Sequence, residues 1–279
     1  HTTESDGTLT PQAVIALARK KGIGTISITD HDTIDGINDL LSREAPIPHH
    51  GLSLLTGVEI SVRYNPGALH ILGYGVDSTS EEFKKQLAYF QQVRLNRNGK
   101  ILKKLENEGI YISEEEIKDI SSSGKSQGRP HIARLLLNKG IVATIDEAFQ
   151  IYLGQGKKAY VEKEMMTAEE SIELIHKAGG LAFVAHPKTL GLTNEKFIAY
   201  LERLMDSGLD GLEVYASLHS ESEINFYRKI ATDKGLLISG GSDFHGSVKP
   251  DIQLGECSIN KKIAKKNLSA ELFEKVINI

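Results

Sequence analysis

The 279-residue sequence contains no tryptophan and one cysteine, and only 6% of it is aromatic. A single cysteine excludes an intrachain disulfide framework and suits a reducing compartment, the cytoplasm, with Cys257 expected as a small buried residue. So few aromatics argue against the interleaved stacking track of a protein that holds long single-stranded nucleic acid. No apolar run approaches the roughly 18 residues of a membrane span, so no membrane partner is expected. The formal net charge is only −4, too small a field to collect nucleic acid or an anionic membrane. The chain also lacks an initial Met and a signal peptide; it begins at His1, and a short leading segment is expected to be missing. What is present is ordinary soluble composition, 40% hydrophobic and 25% charged, at a length for one large domain with an insertion.

Local signals divide the chain. "TLTPQAVIALARKKG" predicts a helix with Thr10 as N-cap, Pro11 at the first helical position and Gly22 as stop. "GTISIT" reads as a short buried strand. "SLLTGVEIS" and "ALHILGYGV" read as two more, separated by the turn-like "YNPG". Further on, "GLAFVAHP", "LDGLEVYA" and "LLISGGSDFHG" are apolar runs, each preceded by a helix-like segment. One of those helices, "TAEESIELIHKAGG", carries Thr167 and Glu170 at capping-box spacing. The alternation of helix and strand favours a parallel α/β sheet with covering helices.

The middle differs. Residues 79–160 show helical runs and no convincing strand, which predicts a helical insertion within a barrel made of 1–78 and 161–279. The insertion carries 14 Lys and Arg against 10 Asp and Glu, leaving −8 on the remainder. A mildly basic cap over an acidic body suits an anionic substrate, although charge alone favours ordinary solvated faces. "SSSGKSQG", Ser121 to Gly128, reads as a flexible loop.

Ionisable side chains collect where strands end. His31 follows "TISIT", Glu59 lies near the end of "SLLTGVEIS", His186 ends "LAFVA", Glu213 lies in "GLEVY", and Asp243 and His245 follow "LLISGG". His70 is the exception, at the start of "HILGY". In an α/β barrel the active site is built at the strand ends. Imidazole and carboxylate together suit zinc, manganese or iron, and paired ions can support displacement at phosphorus.

In their order, "HTTESDGTLTP", "ITDHDTIDG", "GVEIS", "HILGYG", "AHP" and "GSDFHG" resemble the motif set of the polymerase and histidinol phosphatase (PHP) family. "GRPHIARLL" resembles the branch containing nucleoside 3′,5′-bisphosphate phosphatases and RNA-trimming phosphoesterases. The resemblance implies a distorted (β/α)7 TIM-like barrel with a trinuclear site of divalent ions (Mn2+, Zn2+ or Fe2+). One ion would take His1, Glu59 and Asp243 with a His upstream of the chain start. A second would take Glu59 as a bridge with His70 and His186, and a third Asp6, His31 and His245. The implied reaction is hydrolysis by metal-bound hydroxide, with Glu59, Asp243 and His245 as the residues around the catalytic water.

Asp30 and Asp32 either orient ligand histidines or serve as turn and capping residues. Arg129 opens a helix at "GRPH", where N–H groups and a guanidinium suit phosphate, and His131 lies in its first turn. Arg94 and Arg97 are expected on a solvated face. His219 and Tyr215 are candidates for the substrate pocket, and His49, His50 and His176 for the surface. The expected function is phosphomonoester hydrolysis on a small anionic nucleotide, foremost a nucleoside 3′,5′-bisphosphate. The alternatives are a 5′-3′ exonuclease on short RNA or DNA, histidinol phosphatase, and an inactive metal-binding module.

Overall fold

The computed structural model describes residues 1–42, 51–65, 67–113, 115–117, 128–162, 164–257, 261–262, 268–270, 272 and 277–278. The chain opens with α1 (Pro11–Lys20), whose N-cap Thr10 accepts from the Ala13 amide and whose first position is Pro11. It continues through β1 (Thr25–Ile28), α2 (Asp35–Leu41), β2 (Ser53–Val62) and β3 (Leu69–Tyr74). Then come α3 (Glu81–Asn107), α4 (Arg129–Asn138) and α5 (Ile145–Ala148), which runs into a π-helical turn, Phe149–Leu153. The second half alternates α6 (Ala168–Lys177), β4 (Leu181–Val184), α7 (Asn194–Asp206), β5 (Gly211–Ala216), α8 (Glu221–Asp233) and β6 (Leu237–Gly241). The capping box of α6 forms as the sequence predicts, Thr167 and Glu170 each bonding the other's amide.

Strands β1 to β6 lie in sequence order in one curled sheet, with a short terminal strand, Ile277–Asn278, against β2. The sheet is mixed, which corrects the parallel sheet predicted from alternation. β1–β2, β4–β5 and β5–β6 are parallel, but β3 runs antiparallel to both neighbours. The reason is connection length: residues 63–68 make a hairpin-sized link, far too short for a parallel crossover. Pro66 of the expected "YNPG" turn lies outside the described residues, as do His49, His50 and all but Gly128 of the "SSSGKSQG" loop.

Two of the apolar clusters among the described residues organise the helices from α3 onward, while α1 and α2 pack in a third. One joins Val58, Ile60, Ile71, Val184, Leu212 and Val214 of the sheet to α6, α7 and α8. The other lies among the helices of the middle region and includes Ile101, Leu105, Ile132, Leu136 and Leu153. α3 serves both: Phe83 and Leu87 in its first turns are in the sheet cluster, Ile101 and Leu105 near its end in the second. At about 1.5 Å per residue, this helix spans roughly 40 Å. Ile132 is fully buried, so Ile132→Ala should destabilise the protein by about 2–5 kcal/mol in denaturant titration. A loss under about 0.5 kcal/mol, the range of surface substitutions, would show that the second cluster is not a packed core.

Candidate metal centre

The strand ends explain "SITDHDTIDG". Asp30, His31 and Asp32 follow β1, and each does something different. Asp30 is buried and accepts from the Thr2 amide at 2.6 Å and the Thr2 hydroxyl at 2.7 Å, with Ser5 also bonded to it. It thereby holds the segment that carries His1 and Asp6. His31 turns inward and makes a single parallel bridge to Glu59 of β2. Asp32 has φ 54°, accepts from the Ser61 amide at 2.8 Å and pairs with Arg94 of α3. These bonds reach residues distant in sequence, so the geometry does not match a turn or capping role: Asp30 anchors the segment that carries two candidate ligands, and Asp32 ties the turn to β2 and α3.

Among the described residues, three non-glycine residues have positive φ: Asp32, His186 and Asp243. All three stand just past strand ends, and His186 and Asp243 belong to the ligand cluster described next. Strain of this kind persists where surrounding contacts over-determine it.

Glu59 is the hub. Its Oε2 is 2.8 Å from His1 Nε2 and 3.6 Å from His31 Nδ1. Its Oε1 is 2.7 Å from His70 Nδ1 and 2.9 Å from His186 Nε2. Asp243 Oδ1 lies 3.3 Å from His1 Nε2. Asp6 reaches His245 Nε2 at 3.3 Å and His31 Nε2 at 3.9 Å. The imidazoles crowd together, with ring centroids 4.0 Å apart for His1 and His245 and 4.5 Å for His1 and His31. All eight residues expected as ligands therefore come within one site. Three groups have candidate ligand atoms mutually within 4.8 Å: His1, Asp6, His31 and His245; His31, Glu59 and His70; and His1, Glu59 and Asp243.

The electrostatics follow from this crowding. Burial opposes ionisation of Glu59, but His31 and His70 outweigh it and hold its carboxyl well below the usual range. Asp6 and Asp243 are likewise held down against burial, Asp6 by His31 and Asp243 by its hydrogen bond to His1. Burial, with the His1 and His70 charges beside it, pushes His31 down to about 3 against the pull of Glu59 and Asp6, so this imidazole is neutral. Its buried Nδ1 has no hydrogen-bond partner. A neutral buried imidazole with an orphaned nitrogen, facing carboxylates held ionised, is the donor set a divalent cation takes. His245 adds a familiar device: Nδ1 donates to the Asp243 carbonyl at 2.7 Å, leaving Nε2 toward Asp6.

Two arginines differ from expectation. Arg94 and Arg97 do not lie on a solvated face. Arg94 is taken by buried Asp32, while buried Arg97 donates to the Val161 carbonyl at 2.7 Å. Burial, with Arg129 and Arg94 nearby, pulls Arg97 down to about 10. Arg129 donates to the Leu153 carbonyl at 3.1 Å and sits 5.9 Å from the Tyr160 ring centre. Among the described residues no carboxylate pairs with it. His131 accepts from the Gly128 amide and is held down by burial; Asp6 is the strongest influence opposing that shift, which puts His131 near the centre.

His219 and Tyr215 are both buried, and neither lines the roughly 710 Å3 cavity that includes His1, Glu59, His186 and Asp243. His219 packs on Tyr227 and donates from Nδ1 to the Val214 carbonyl at 2.9 Å. Burial lowers its pKa to about 4. The folded value lies below the unfolded one, so this contribution is whole above pH 6.5 and lost as pH falls toward 4. Comparing wild type with His219→Gln across that window should show a slope worth about 3 kcal/mol in wild type only. Parallel stability curves would refute it. His176 is exposed and pairs with Asp210, as expected of a surface residue. Cys257 is buried, as expected, and as the single cysteine forms no intrachain disulfide.

Sequence reasoning missed Lys249, whose Nζ is 2.5 Å from Asp243 Oδ2. A lysine in "GSVKPD" carries no spacing signal of its own. It also left the supporting role of Glu213 unread, although the residue stands in the strand-end series.

A curled α/β sheet with clustered imidazoles and carboxylates at its strand ends defines a metal-dependent hydrolase. No family model matches the chain. It is 34% identical to a 5′-3′ exoribonuclease of Haemophilus influenzae over 88% of each chain. It is 30% identical to a 3′,5′-nucleoside bisphosphate phosphatase of Chromobacterium violaceum, over 88% of this chain and 85% of that one. A Bifidobacterium adolescentis protein described as a metal-dependent phosphoesterase superposes with a TM-score of 0.80 at 29% identity, covering 99% of this chain and 92% of its own. The chain belongs to the PHP family of phosphoesterases, and it is a phosphoric ester hydrolase.

Proposed function

We propose that the protein removes a phosphate monoester from a nucleotide, foremost a nucleoside 3′,5′-bisphosphate. The carrying observation is the first turn of α4, where His131 accepts from the Gly128 amide and stands beside Arg129. Arg129 stands two residues earlier with no carboxylate partner among the described residues. That pair suits a second phosphate held at a distance from the ester being cleaved.

His1, Asp6, His31, Glu59, His70, His186, Asp243 and His245 would hold the divalent ions, three in number on the family pattern and Mn2+, Zn2+ or Fe2+ by donor type. Such ions supply Lewis acidity toward phosphoryl oxygens and acidify water. Glu59 and Asp243 keep the centre anionic, Lys249 fixes the outer oxygen of Asp243, and Arg129 with His131 orients the substrate. In this reading the sheet closes as a distorted (β/α)7 barrel of residues 1–78 and 161–279. Residues 79–160 form a helical cap, which the separate apolar cluster supports. Among the described residues no helix is long and apolar enough to cross a membrane. The lone buried cysteine supports a cytoplasmic location.

The second reading is a 5′-3′ exonuclease on short RNA, favoured by the similarity to the Haemophilus enzyme. Phosphate and nucleotide release should be followed from adenosine 3′,5′-bisphosphate, a 5′-phosphorylated short RNA and histidinol phosphate. Phosphate from the bisphosphate with intact RNA supports the first reading. Stepwise mononucleotides from the RNA support the second, and release from histidinol phosphate alone refutes both.

A further inference from the structure

His186 leaves β4 with φ 24° and ψ 63°, a conformation that costs a non-glycine residue energy. Its amide is outside the strand ladder, and Glu213 Oε2 accepts it at 2.7 Å. Without that acceptor a buried N–H would go unsatisfied. Glu213 is buried in β5 where the pairing with β6 shifts register between Glu213 and Tyr215, a bulge of the kind that re-aims a side chain. Further along β6, a Cβ on Gly241 would lie 2.6 Å from Glu213 Oε1, so a glycine is what leaves the carboxylate room.

Thr189 acts on the other side of His186. Its hydroxyl oxygen is 3.0 Å from His186 Nδ1, 2.9 Å from the Ala68 carbonyl and 3.1 Å from the His186 carbonyl. A hydroxyl has one proton, and carbonyls only accept. With Nε2 offered to a cation, Nδ1 carries the hydrogen, and the Thr189 oxygen accepts it while its own proton goes to one of the two carbonyls. Nε2 lies 2.9 Å from Glu59 Oε1 and 3.3 Å from His70 Nδ1.

We propose that Thr189 and Glu213 are positioning residues for His186: Thr189 fixes the tautomer, and Glu213 holds the strained backbone that aims Nε2 at the centre. This rests on the reading of His186 as a metal ligand. The test uses zinc, which is diamagnetic, with affinity read by competition against a chromophoric chelator and Nδ1–H read in imidazole 1H–15N spectra. Wild type should show a protected His186 Nδ1–H. Thr189→Val should lose that signal and bind zinc about 10–100-fold more weakly. Thr189→Ser should recover both. Glu213→Leu should weaken zinc similarly, while Glu213→Gln, which keeps an acceptor oxygen, should stay near wild type. If Glu213→Leu does not fold, the threonine pair carries the test. Wild-type affinity with an unmoved Nδ1–H in Thr189→Val, or a Thr189→Ser as weak as Thr189→Val, overturns the proposal. A wild-type protein that takes up no zinc overturns the metal reading and the proposal with it.

Discussion

Glu59→Gln should lower phosphate release by at least about 10³-fold while the protein keeps its fold. Among the described residues, Glu59 is the one carboxylate in contact with four imidazoles, those of His1, His31, His70 and His186. It belongs to two of the three ligand-type groups. An amide keeps the shape but removes the charge that offsets the bound cations. Lewis-acid catalysis contributes several kcal/mol, and each ~1.4 kcal/mol is tenfold in rate. His186→Ala and Asp243→Ala should act in the same direction. Circular dichroism and thermal melting of the variants separate loss of chemistry from loss of fold. Turnover within tenfold of wild type in a folded Glu59→Gln protein would remove Glu59 from its central place.

Arg129→Ala should raise KM about 10–100-fold for a bisphosphate, with kcat changed far less. A charge-assisted hydrogen bond to phosphate is worth about 1.5–3 kcal/mol, and truncation removes binding common to ground and transition states. Arg129→Lys should not recover it, because lysine lacks the bidentate fork and the planar group that packs near Phe149 and Tyr160. For a substrate with a single phosphate the same variant should show a much smaller effect. An unchanged KM for the bisphosphate would assign Arg129 to packing alone.

The legible parts of the fold were those whose signals are local. Thr10 before Pro11, and Thr167 three residues before Glu170, specify helix starts through bonds that close within one turn. The gathering of the candidate ligands was legible in part, because strand ends deliver side chains to one face; His1 and Asp6 precede β1 and came from the family resemblance alone. The direction of β3 was less legible. Alternating helix and strand suggested parallel pairing, and only the short link after β2 argued otherwise.

The illegible parts depend on contacts between distant segments. Arg94 and Arg97 lie on a helix with charges all along it, and nothing nearby shows that one meets Asp32 and the other the Val161 carbonyl. Asp30 reads as a turn residue until the opening segment folds back and donates three hydrogen bonds to it. His219 reads as a candidate for the pocket because it follows a strand. A main-chain acceptor five residues earlier turns its ring into the core.

The central claim is that these imidazoles and carboxylates form a metal centre that hydrolyses a nucleotide phosphate. Its most direct test is phosphate release from adenosine 3′,5′-bisphosphate by protein stripped with a chelator, then supplied with manganese. The account expects no release from the stripped protein and recovery on adding the ion. Undiminished release from metal-free protein would contradict it.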